Sequence, residues 1–258
     1  MLAKRIIPCL DIKDGNIVKG IKFKNHRIIS KNIFSMIKNY IEDGADELVF
    51  YDISAYVKNK LVNEKLIYKI SKIIDIPFCV SGGIKTIEDA KKILFSGADK
   101  ISINSPAIDN PNLISKLANR FGRQCIVIGI DSFFDSILNK YFVFKYTGDS
   151  KKIVKTNLST LDWVKRVQEL GAGEIVLNVI NFDGLKSGYD IIQLKKIRKI
   201  CKIPLVASSG AGSINHFYEV FHKSDVDGAL AASVFHDNKI SIKELKQFLF
   251  KKGIEIRL

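Results

Sequence analysis

Short apolar runs alternate with amphipathic segments along the whole chain. The runs have the length of strands, whereas the segments between them repeat apolar residues at the three- and four-residue spacing of helices. Gly and Pro residues separate the two kinds of segment. The runs predict eight strands, at residues 5–11, 47–52, 77–81, 100–104, 125–131, 174–178, 204–208 and 227–231.

Strands that alternate with helices predict an α/β fold. Right-handed βαβ crossovers build a parallel sheet, and eight of them can close it into a barrel. Residues 44–49 (GADELV) echo residues 171–176 (GAGEIV), and residues 76–83 (IPFCVSGG) echo residues 203–210 (IPLVASSG). We therefore expect a single (β/α)8 TIM barrel over residues 1–258, built from two duplicated half-barrels at about 1–122 and 123–258.

One stretch interrupts this pattern. Residues 132–155 are the longest irregular segment, and the alternation of Tyr141, Val143 and Lys145 within it has the period of a strand. We expect a small hairpin inserted after the fifth strand.

Length and composition limit the class of protein. A chain of 258 residues with 47% hydrophobic content can bury the core of one barrel. No run of 18 or more residues is apolar, and residues 1–4 lead into the first strand without a signal-peptide segment. We therefore expect a cytoplasmic protein. The four cysteines are scattered singly, which predicts reduced thiols and neither a zinc site nor a disulfide framework.

The formal net charge of +14 raises the question of a nucleic-acid partner. The lysines are spread along predicted helices and loops without the interleaved aromatic residues of a nucleic-acid-binding motif. We therefore favour a solvated, lysine-rich surface. Small anionic substrates are equally compatible with this charge.

Two predicted strands end on an aspartate, about half a chain apart. Asp11 shares its strand face with Cys9, and Asp131 shares its strand face with Gly129. The carboxyl ends of barrel strands carry the chemistry, so two carboxylates placed there form a natural acid/base pair. The alternative is that each aspartate only caps a loop or a helix, and the duplication favours the pair.

Small residues follow four strands in matching positions of the two halves. Backbone N–H groups in such turns bind phosphate, although a plain turn is the commoner explanation of a glycine pair. Two turns in register across a repeat predict two phosphate sites on one face, and a substrate with two phosphates whose reacting centre lies between the aspartates. The residues of these turns are Gly82, Gly83, Asn104 and Ser105 in the first half, and Ser209, Gly210, Ala232 and Ser233 in the second.

Charged residues open four of the predicted strands. Arg5 and Lys100 are cations, and Glu47 and Glu174 are anions. A solvated rim is the usual explanation of charged strand starts. The alternative is a paired ring of charges over the barrel floor, which would suit a gated passage for a small molecule.

These motifs resemble the cyclase subunit of imidazole glycerol phosphate synthase along nearly the whole chain. The related barrel isomerase of the histidine pathway shares the duplicated turns and both aspartate positions, but KGIKF (19–23) and INSPA (103–107) are similar to the cyclase. The motifs that carry the resemblance are IIPCLDIKDGNIVKG (6–20), GADELVFYDI (44–53), SGGI (81–84), GADKISINSPA (97–107), IGID (128–131), GAGEIVLN (171–178), DGLKSGYD (183–190) and DGALAASVFH (227–236).

The resemblance implies a lyase and cyclase of histidine biosynthesis that needs no metal and no cofactor. A partner glutaminase of the HisH type would form a heterodimer with the chain at the amino-terminal rim of the barrel and release ammonia there. The ammonia would travel up the barrel interior and attack the ribulosyl carbonyl of the bisphosphorylated nucleotide PRFAR. Cleavage and ring closure would then yield imidazole glycerol phosphate and AICAR.

The resemblance also implies a role for individual residues. Asp11 and Asp131 match the general acid/base pair, and Lys19 matches a residue on a mobile loop that closes over substrate. Asp99 matches a contact to the glutaminase. The ammonia gate is matched by Arg5, Glu47, Lys100 and Glu174. The substrate and phosphate sites are matched by Gly82, Gly83, Asn104 and Ser105, and by Asp183, Gly184, Ser209, Gly210, Ala232 and Ser233.

The chain departs from the family pattern at Ser209, where the family usually has the first of two glycines. If this position needs a positive φ, a serine costs about 1 to 2 kcal/mol. If it needs only close backbone approach, the hydroxyl could donate to the phosphate instead.

Two other functions remain open from the sequence. One is a paralogous barrel that aminates another phosphorylated sugar or nucleotide, and the intact KGIKF and DGLKSGYD motifs count against it. The other is a basic barrel kept as a binding or scaffold protein, which would not need the paired aspartates.

Overall fold

The structure is a computed structural model. It describes residues 2–56 and 58–258, with only the backbone of Asn25. The strands are β1 (Arg5–Lys13), β2 (Asn16–Ile21), β3 (Lys24–Ser30), β4 (Leu48–Asp52), β5 (Phe78–Ser81), β6 (Lys100–Ile103), β7 (Ile126–Asp135), β8 (Lys140–Lys145), β9 (Val154–Ser159), β10 (Glu174–Val179), β11 (Leu205–Ser208) and β12 (Gly228–Ala231). The helices are α1 (Ile33–Glu42), α2 (Glu64–Ser71), α3 (Ile87–Phe95), α4 (Ser105–Asp109), α5 (Asn112–Phe121), α6 (Thr160–Glu169), α7 (Ile191–Arg198), α8 (Ile214–Ser224), α9 (Ser233–His236) and α10 (Ile242–Lys251), with a 3₁₀ turn at Arg123–Cys125.

Eight parallel strands close into a barrel. Around the barrel their order is β1, β4, β5, β6, β7, β10, β11 and β12, and β12 pairs again with β1, where Arg5 is the register partner of Gly228. A helix follows each of these strands and packs on the outside. The predicted fold class, an α/β TIM barrel, is confirmed.

Each barrel strand is apolar on both faces because each face meets a different core. One face packs against the surrounding helices in the larger core, where Phe50, Phe78 and Phe217 are among the largest fully buried side chains. The other face fills the barrel interior with small and branched side chains, as is usual in this fold. The interior core consists of Ile7, Cys9, Val49, Cys79, Val127, Val176, Val206, Leu230 and Ala232, with Tyr51 packed against it.

Local sequence signals fix where the helices begin. Thr86 accepts a hydrogen bond from the N–H of Asp89, whose side chain bonds back to the N–H of Thr86, so the predicted capping box opens α3. Asn63 and Ser159 cap α2 and α6 with their side-chain oxygens alone, which accept the N–H groups of Leu66 and Asp162. The short helices α4 and α9 are additions that the apolar spacing did not predict.

Two strands run further than the sequence predicts. β1 continues to Lys13 and turns back at Asp14 and Gly15, both at positive φ, into the antiparallel hairpin β2–β3. β7 likewise passes Asp131 and pairs with β8, which pairs with β9, so the hairpin expected after the fifth strand is confirmed and is larger than predicted. Both extensions rise from the carboxyl end of the barrel.

The sequence predicts reduced cysteines and no long apolar segment. All four cysteines are free; Cys9, Cys79 and Cys201 are buried, and Cys125 is partly exposed. Among residues 2–56 and 58–258, no helix combines the length and the apolar character that crossing a membrane requires.

Candidate active site

Asp11 lies near the carboxyl end of β1 and is paired with Lys19 of the β2–β3 hairpin. Nζ of Lys19 is 3.0 Å from Oδ2 of Asp11 and 3.4 Å from Oδ1 of Asp183. The N–H of Phe23 donates a 3.1 Å hydrogen bond to Oδ2 of Asp183. Burial lowers the pKa of Lys19, but the two carboxylates outweigh burial and raise this pKa above its ordinary value. Lys19 and Phe23 therefore tie the hairpin to the barrel mouth.

Asp131 is buried and held by three side-chain donors. Asn104 donates a 2.8 Å hydrogen bond to Oδ2, and Asn178 donates a 2.8 Å hydrogen bond to Oδ1. The hydroxyl of Thr147, in the connection between β8 and β9, also donates to Oδ2. The amides of Asn104, directly after β6, and of Asn178, on β10, fix the orientation of the carboxylate.

The charged form of Asp131 is costly despite these donors. Burial raises the pKa of Asp131 to about 6, and the charge of Asp183 adds to this effect. The hydrogen bonds from Thr147, Asn178 and Asn104 act in the opposite direction. A carboxyl group with a pKa near neutrality is suited to proton transfer.

Two adjoining cavities contain every residue predicted for catalysis or phosphate binding. Asp131 lines both cavities, and Asp11 lines the first. The first cavity is also lined by Lys19, Asp183, Gly184, Ser209, Gly210, Ala232 and Ser233. The second is lined by Gly82, Gly83, Asn104 and Ser105. The two halves of the chain thus supply one turn pair each, on either side of Asp131.

The two glycine-bearing turns share a requirement at their second position. A Cβ on Gly83 would collide with the carbonyl oxygen of Lys60, and a Cβ on Gly210 would collide with that of Gly188. The first position of the second turn is occupied by Ser209 at φ +79°. The departure from the family pattern therefore falls in the left-handed region, at a cost of about 1 to 2 kcal/mol.

The four charged strand starts form a closed ring at the opposite end of the barrel. Arg5 lies 2.5 Å from Glu47 and 3.1 Å from Glu174. Nζ of Lys100 lies 2.9 Å from an oxygen of each of the same two carboxylates. The ring of paired charges considered from the sequence is present, and a purely solvated rim is excluded because Glu47 and Glu174 are buried.

Charge pairing within this ring offsets its burial. Burial and the charge of Glu174 raise the pKa of Glu47, while Lys100 and Arg5 lower it. Burial lowers the pKa of Lys100, but Glu174 and Glu47 outweigh burial and raise it. Each of the two cations contacts both carboxylates, so the ring carries no net charge.

Asp99 lies beside the ring, directly before β6. Its Oδ2 accepts a 2.8 Å hydrogen bond from the N–H of Phe78 at the start of β5, although the residue is exposed. Asp99 is therefore on the amino-terminal side of the barrel, where the resemblance expects the partner.

Sequence reasoning missed two donors to Asp131 and gave Asn104 only part of its role. Asn104 lines the second cavity, but its amide N–H donates to Asp131. Its Oδ1 is buried without a partner among the described residues. Asn178 could have been found, because it ends the predicted strand 174–178 as Asn104 ends the predicted strand 100–104. No sequence pattern marked Thr147, because its position depends on the path of the irregular connection between β8 and β9.

The fold and site define a barrel enzyme with a carboxylate pair at one end and a charged ring at the other. The family model described as "Histidine biosynthesis protein" matches residues 5–241. "Imidazole glycerol phosphate synthase subunit HisF" from Buchnera aphidicola subsp. Baizongia pistaciae is 62% identical over 258 residues, covering all of both chains. The subunits of the same name from Cronobacter sakazakii and Escherichia coli O17:K52:H18 are 57% and 58% identical over the same full length.

The chain belongs to the histidine biosynthesis protein family, among the HisF subunits. The resemblance drawn from the sequence motifs is thereby confirmed. An enzyme of this family is supported over the paralogous barrel and over a scaffold protein, because the similarity extends over the whole chain.

Proposed function

We propose that this chain is the cyclase subunit of imidazole glycerol phosphate synthase. In this reaction ammonia and the bisphosphorylated nucleotide PRFAR give imidazole glycerol phosphate and AICAR. The observation that carries the proposal is the arrangement of one barrel, with a four-charge ring at one end, an apolar interior, and Asp11 with Asp131 in a cavity at the other end.

Ammonia enters through the ring of Arg5, Glu47, Lys100 and Glu174. Its route then passes the apolar interior core, whose side chains leave neutral ammonia unprotonated and offer no strong binding site on the way. The route ends beside Asp131, where hydrogen-bonding groups reappear. The ring thus acts as the gate, and the interior acts as the path.

Asp11 and Asp131 act as the acid/base pair on the substrate. Ammonia attacks the ribulosyl carbonyl, and the two carboxyl groups transfer protons while the chain of the nucleotide is cleaved and the imidazole ring closes. Asp131, with its pKa of about 6, can hold or release a proton close to neutral pH. Lys19 bridges Asp11 and Asp183, so the β2–β3 hairpin covers the substrate while keeping Asp11 in place.

The two turn pairs hold the two phosphates of the substrate. Their positions on either side of Asp131 support this assignment, because a substrate anchored at both ends presents its middle to the carboxylates. The residues are Gly82, Gly83, Asn104 and Ser105 for one phosphate, and Ser209, Gly210, Ala232 and Ser233 with Asp183 and Gly184 for the other.

A glutaminase of the HisH type docks at the amino-terminal rim and forms a heterodimer with this chain. The subunit name of the relatives supports a partner, and the position of the ring on that rim supports the site. Asp99, exposed beside the ring, contacts the glutaminase. The chain works as one domain of two half-barrels, at about 1–122 and 123–258. It acts in the cytoplasm and uses no metal or cofactor.

Turnover with free ammonia tests this function without the partner. The purified chain is mixed with PRFAR and excess ammonium salt, with a sample lacking ammonium as the control, and imidazole glycerol phosphate and AICAR are measured over time. We expect both products in equal amounts, and only with ammonium. Substrate binding without turnover would contradict the cyclase assignment, and absence of binding would contradict the phosphate sites.

A further inference from the structure

Two tyrosines that line the second cavity meet an aspartate, and the three residues come from separate segments. Tyr56 belongs to the connection from β4 to α2, Asp109 ends α4, and Tyr146 directly follows β8. The two rings are stacked, with centroids 5.6 Å apart and planes 13° apart. Both hydroxyls donate to Oδ2 of Asp109, over 3.1 Å from Tyr56 and 2.7 Å from Tyr146. We call these three residues the tyrosine clamp.

Lysines reinforce the tyrosine clamp from both sides. Nζ of Lys145 is 2.6 Å from Oδ1 of Asp109, and it also lies 4.8 Å from the ring centroid of Tyr146. Nζ of Lys85 lies 4.6 Å from the ring centroid of Tyr56. Partial burial raises the pKa of Asp109, but the hydrogen bonds from Lys145, Tyr146 and Tyr56 outweigh it and hold this pKa below its ordinary value. Asp109 is therefore an ionised anchor for the two hydroxyls.

The tyrosine clamp fixes the backbone that reaches the reaction site. Tyr146 has a φ of +60°, which is unfavourable for a residue with a side chain and has to be held by its surroundings. Its N–H donates a 2.9 Å hydrogen bond to the hydroxyl oxygen of Ser105, which leaves the hydroxyl proton of Ser105 free for a phosphate. The next residue, Thr147, donates to Asp131.

We propose that Tyr56 and Asp109 are positioning residues that hold Tyr146, so that Thr147 stays bonded to Asp131 and Ser105 stays oriented towards the substrate. Neither Tyr56 nor Asp109 bonds Asp131 itself, and both act through Tyr146. The inference rests on the proposed function, because it assigns these residues to the reaction of Asp131.

Opening the tyrosine clamp should shift the pKa of Asp131, which the loss of a purely structural contact would not do. The hydrogen bond from Thr147 is one of the effects that keep the pKa of Asp131 from rising further. When the tyrosine clamp is opened, Thr147 leaves Asp131, and the carboxyl group protonates at higher pH. The pH at which Asp131 ionises therefore reports on the tyrosine clamp from a distance.

The test compares Tyr56→Ala with wild type and with Tyr68→Ala. Tyr68 is a matched control, because it is an exposed tyrosine with a lysine, Lys72, over its ring, and it lies on α2. The titration of Asp131 is followed by NMR of carboxyl-labelled aspartate in the ligand-free protein, with Asp131→Asn assigning the signal. The pH dependence of kcat with ammonium is measured on the same samples.

We expect Tyr56→Ala to raise the midpoint of the Asp131 titration by about 0.5 to 1 pH unit. We expect kcat to fall about two- to fivefold near pH 6, in step with the ionised fraction of Asp131, and by much less than twofold near pH 8.5, where the carboxyl group is ionised in either protein. Tyr68→Ala should match wild type in both measurements. Tyr56→Phe keeps the ring and loses only one hydrogen bond, so we expect a shift in the same direction of about 0.3 pH unit.

A wild-type titration in Tyr56→Ala would overturn the proposal. If that variant does not fold, as judged by circular dichroism, Tyr56→Phe decides, and an unshifted midpoint there would overturn it equally. Absence of turnover in the wild-type protein would instead refute the proposed function, and the NMR titration would still report whether the tyrosine clamp holds Thr147 on Asp131.

Discussion

Asn178 is the register partner of Asp131 across β7 and β10, and its amide donates a 2.8 Å hydrogen bond to Oδ1 of that aspartate. Asn104, at the end of β6 on the other side, donates to Oδ2. The carboxylate is therefore held from both neighbouring strands of the barrel. Burial nevertheless raises its pKa to about 6, so the protein keeps a charge at this position at a cost in stability.

Replacing this carboxylate should remove a pH-dependent cost in stability. The pKa of Asp131 is about 6 when folded, against 3.8 as the ordinary value, so the folded state binds more protons between these limits. Stability is therefore lost as pH rises from about 4 to about 6, and the loss is about 3 kcal/mol above that range. Asn turns its NH2 group towards one of the donors to Asp131, which adds a cost that does not change with pH. We therefore expect the free energy of unfolding of Asp131→Asn, relative to wild type, to be higher near pH 7.5 than near pH 4 by about 1 to 3 kcal/mol.

Urea unfolding of wild type and Asp131→Asn at several pH values checks this expectation. Asp75→Asn is the control, because Asp75 is exposed and outside the site. A difference between Asp131→Asn and wild type that does not change with pH would refute the raised pKa.

The charged ring should be sensitive to the loss of one cation. Lys100→Met leaves two buried carboxylates, Glu47 and Glu174, with Arg5 alone. Because Lys100 is only 17% exposed, we expect this substitution to lower the free energy of unfolding by about 2 to 4 kcal/mol. Lys92→Met, on the exposed face of α3, should change it by less than about 0.5 kcal/mol. Equal urea midpoints for the two variants would show that the ring does not behave as a coupled unit.

The serine in the second turn should carry measurable strain. Ser209 has a φ of +79°, whereas Ser213, four residues later, has an ordinary extended φ of −147°. Ser209→Gly relieves about 1 to 2 kcal/mol of strain but gives the unfolded chain more freedom, so we expect a net gain of up to about 1 kcal/mol in thermal or urea unfolding. Ser213→Gly has only the second effect and should destabilise the protein. If Ser209→Gly is as destabilising as Ser213→Gly, the strain is absent.

Much of the barrel could be predicted because its strands are short apolar runs between clear turn residues. Residues 77–81 and 204–208 each begin with proline and lead to a glycine-bearing turn, and both form strands of the barrel. The hairpin β2–β3 could not be predicted in this way. Its strands pack mainly on each other and on the mouth of the barrel, so their sequence lacks a continuous apolar face.

The site was predictable where it depends on strand parity and not where it depends on loops. Asp11 and Asp131 lie near the carboxyl ends of the barrel portions of β1 and β7, and the four ring residues lie at or directly before strand starts. Closure of the barrel alone therefore places the aspartates at one end and the ring at the other. Thr147 and Tyr56 lie in connections, and their positions are set by contacts with other connections. Such contacts leave no periodic signal in the sequence.

Replacing the carboxylate of Asp11 tests the proposed acid/base reaction most directly. Asp11→Asn keeps the size of the side chain and can still accept a hydrogen bond from Lys19, but it cannot transfer a proton near neutral pH. The measurement is kcat with ammonium together with the affinity for PRFAR by calorimetry, for Asp11→Asn and wild type. We expect PRFAR binding within about tenfold of wild type and a loss of kcat of about a thousandfold or more. Near-normal kcat in Asp11→Asn would contradict the assignment of Asp11 to the acid/base pair.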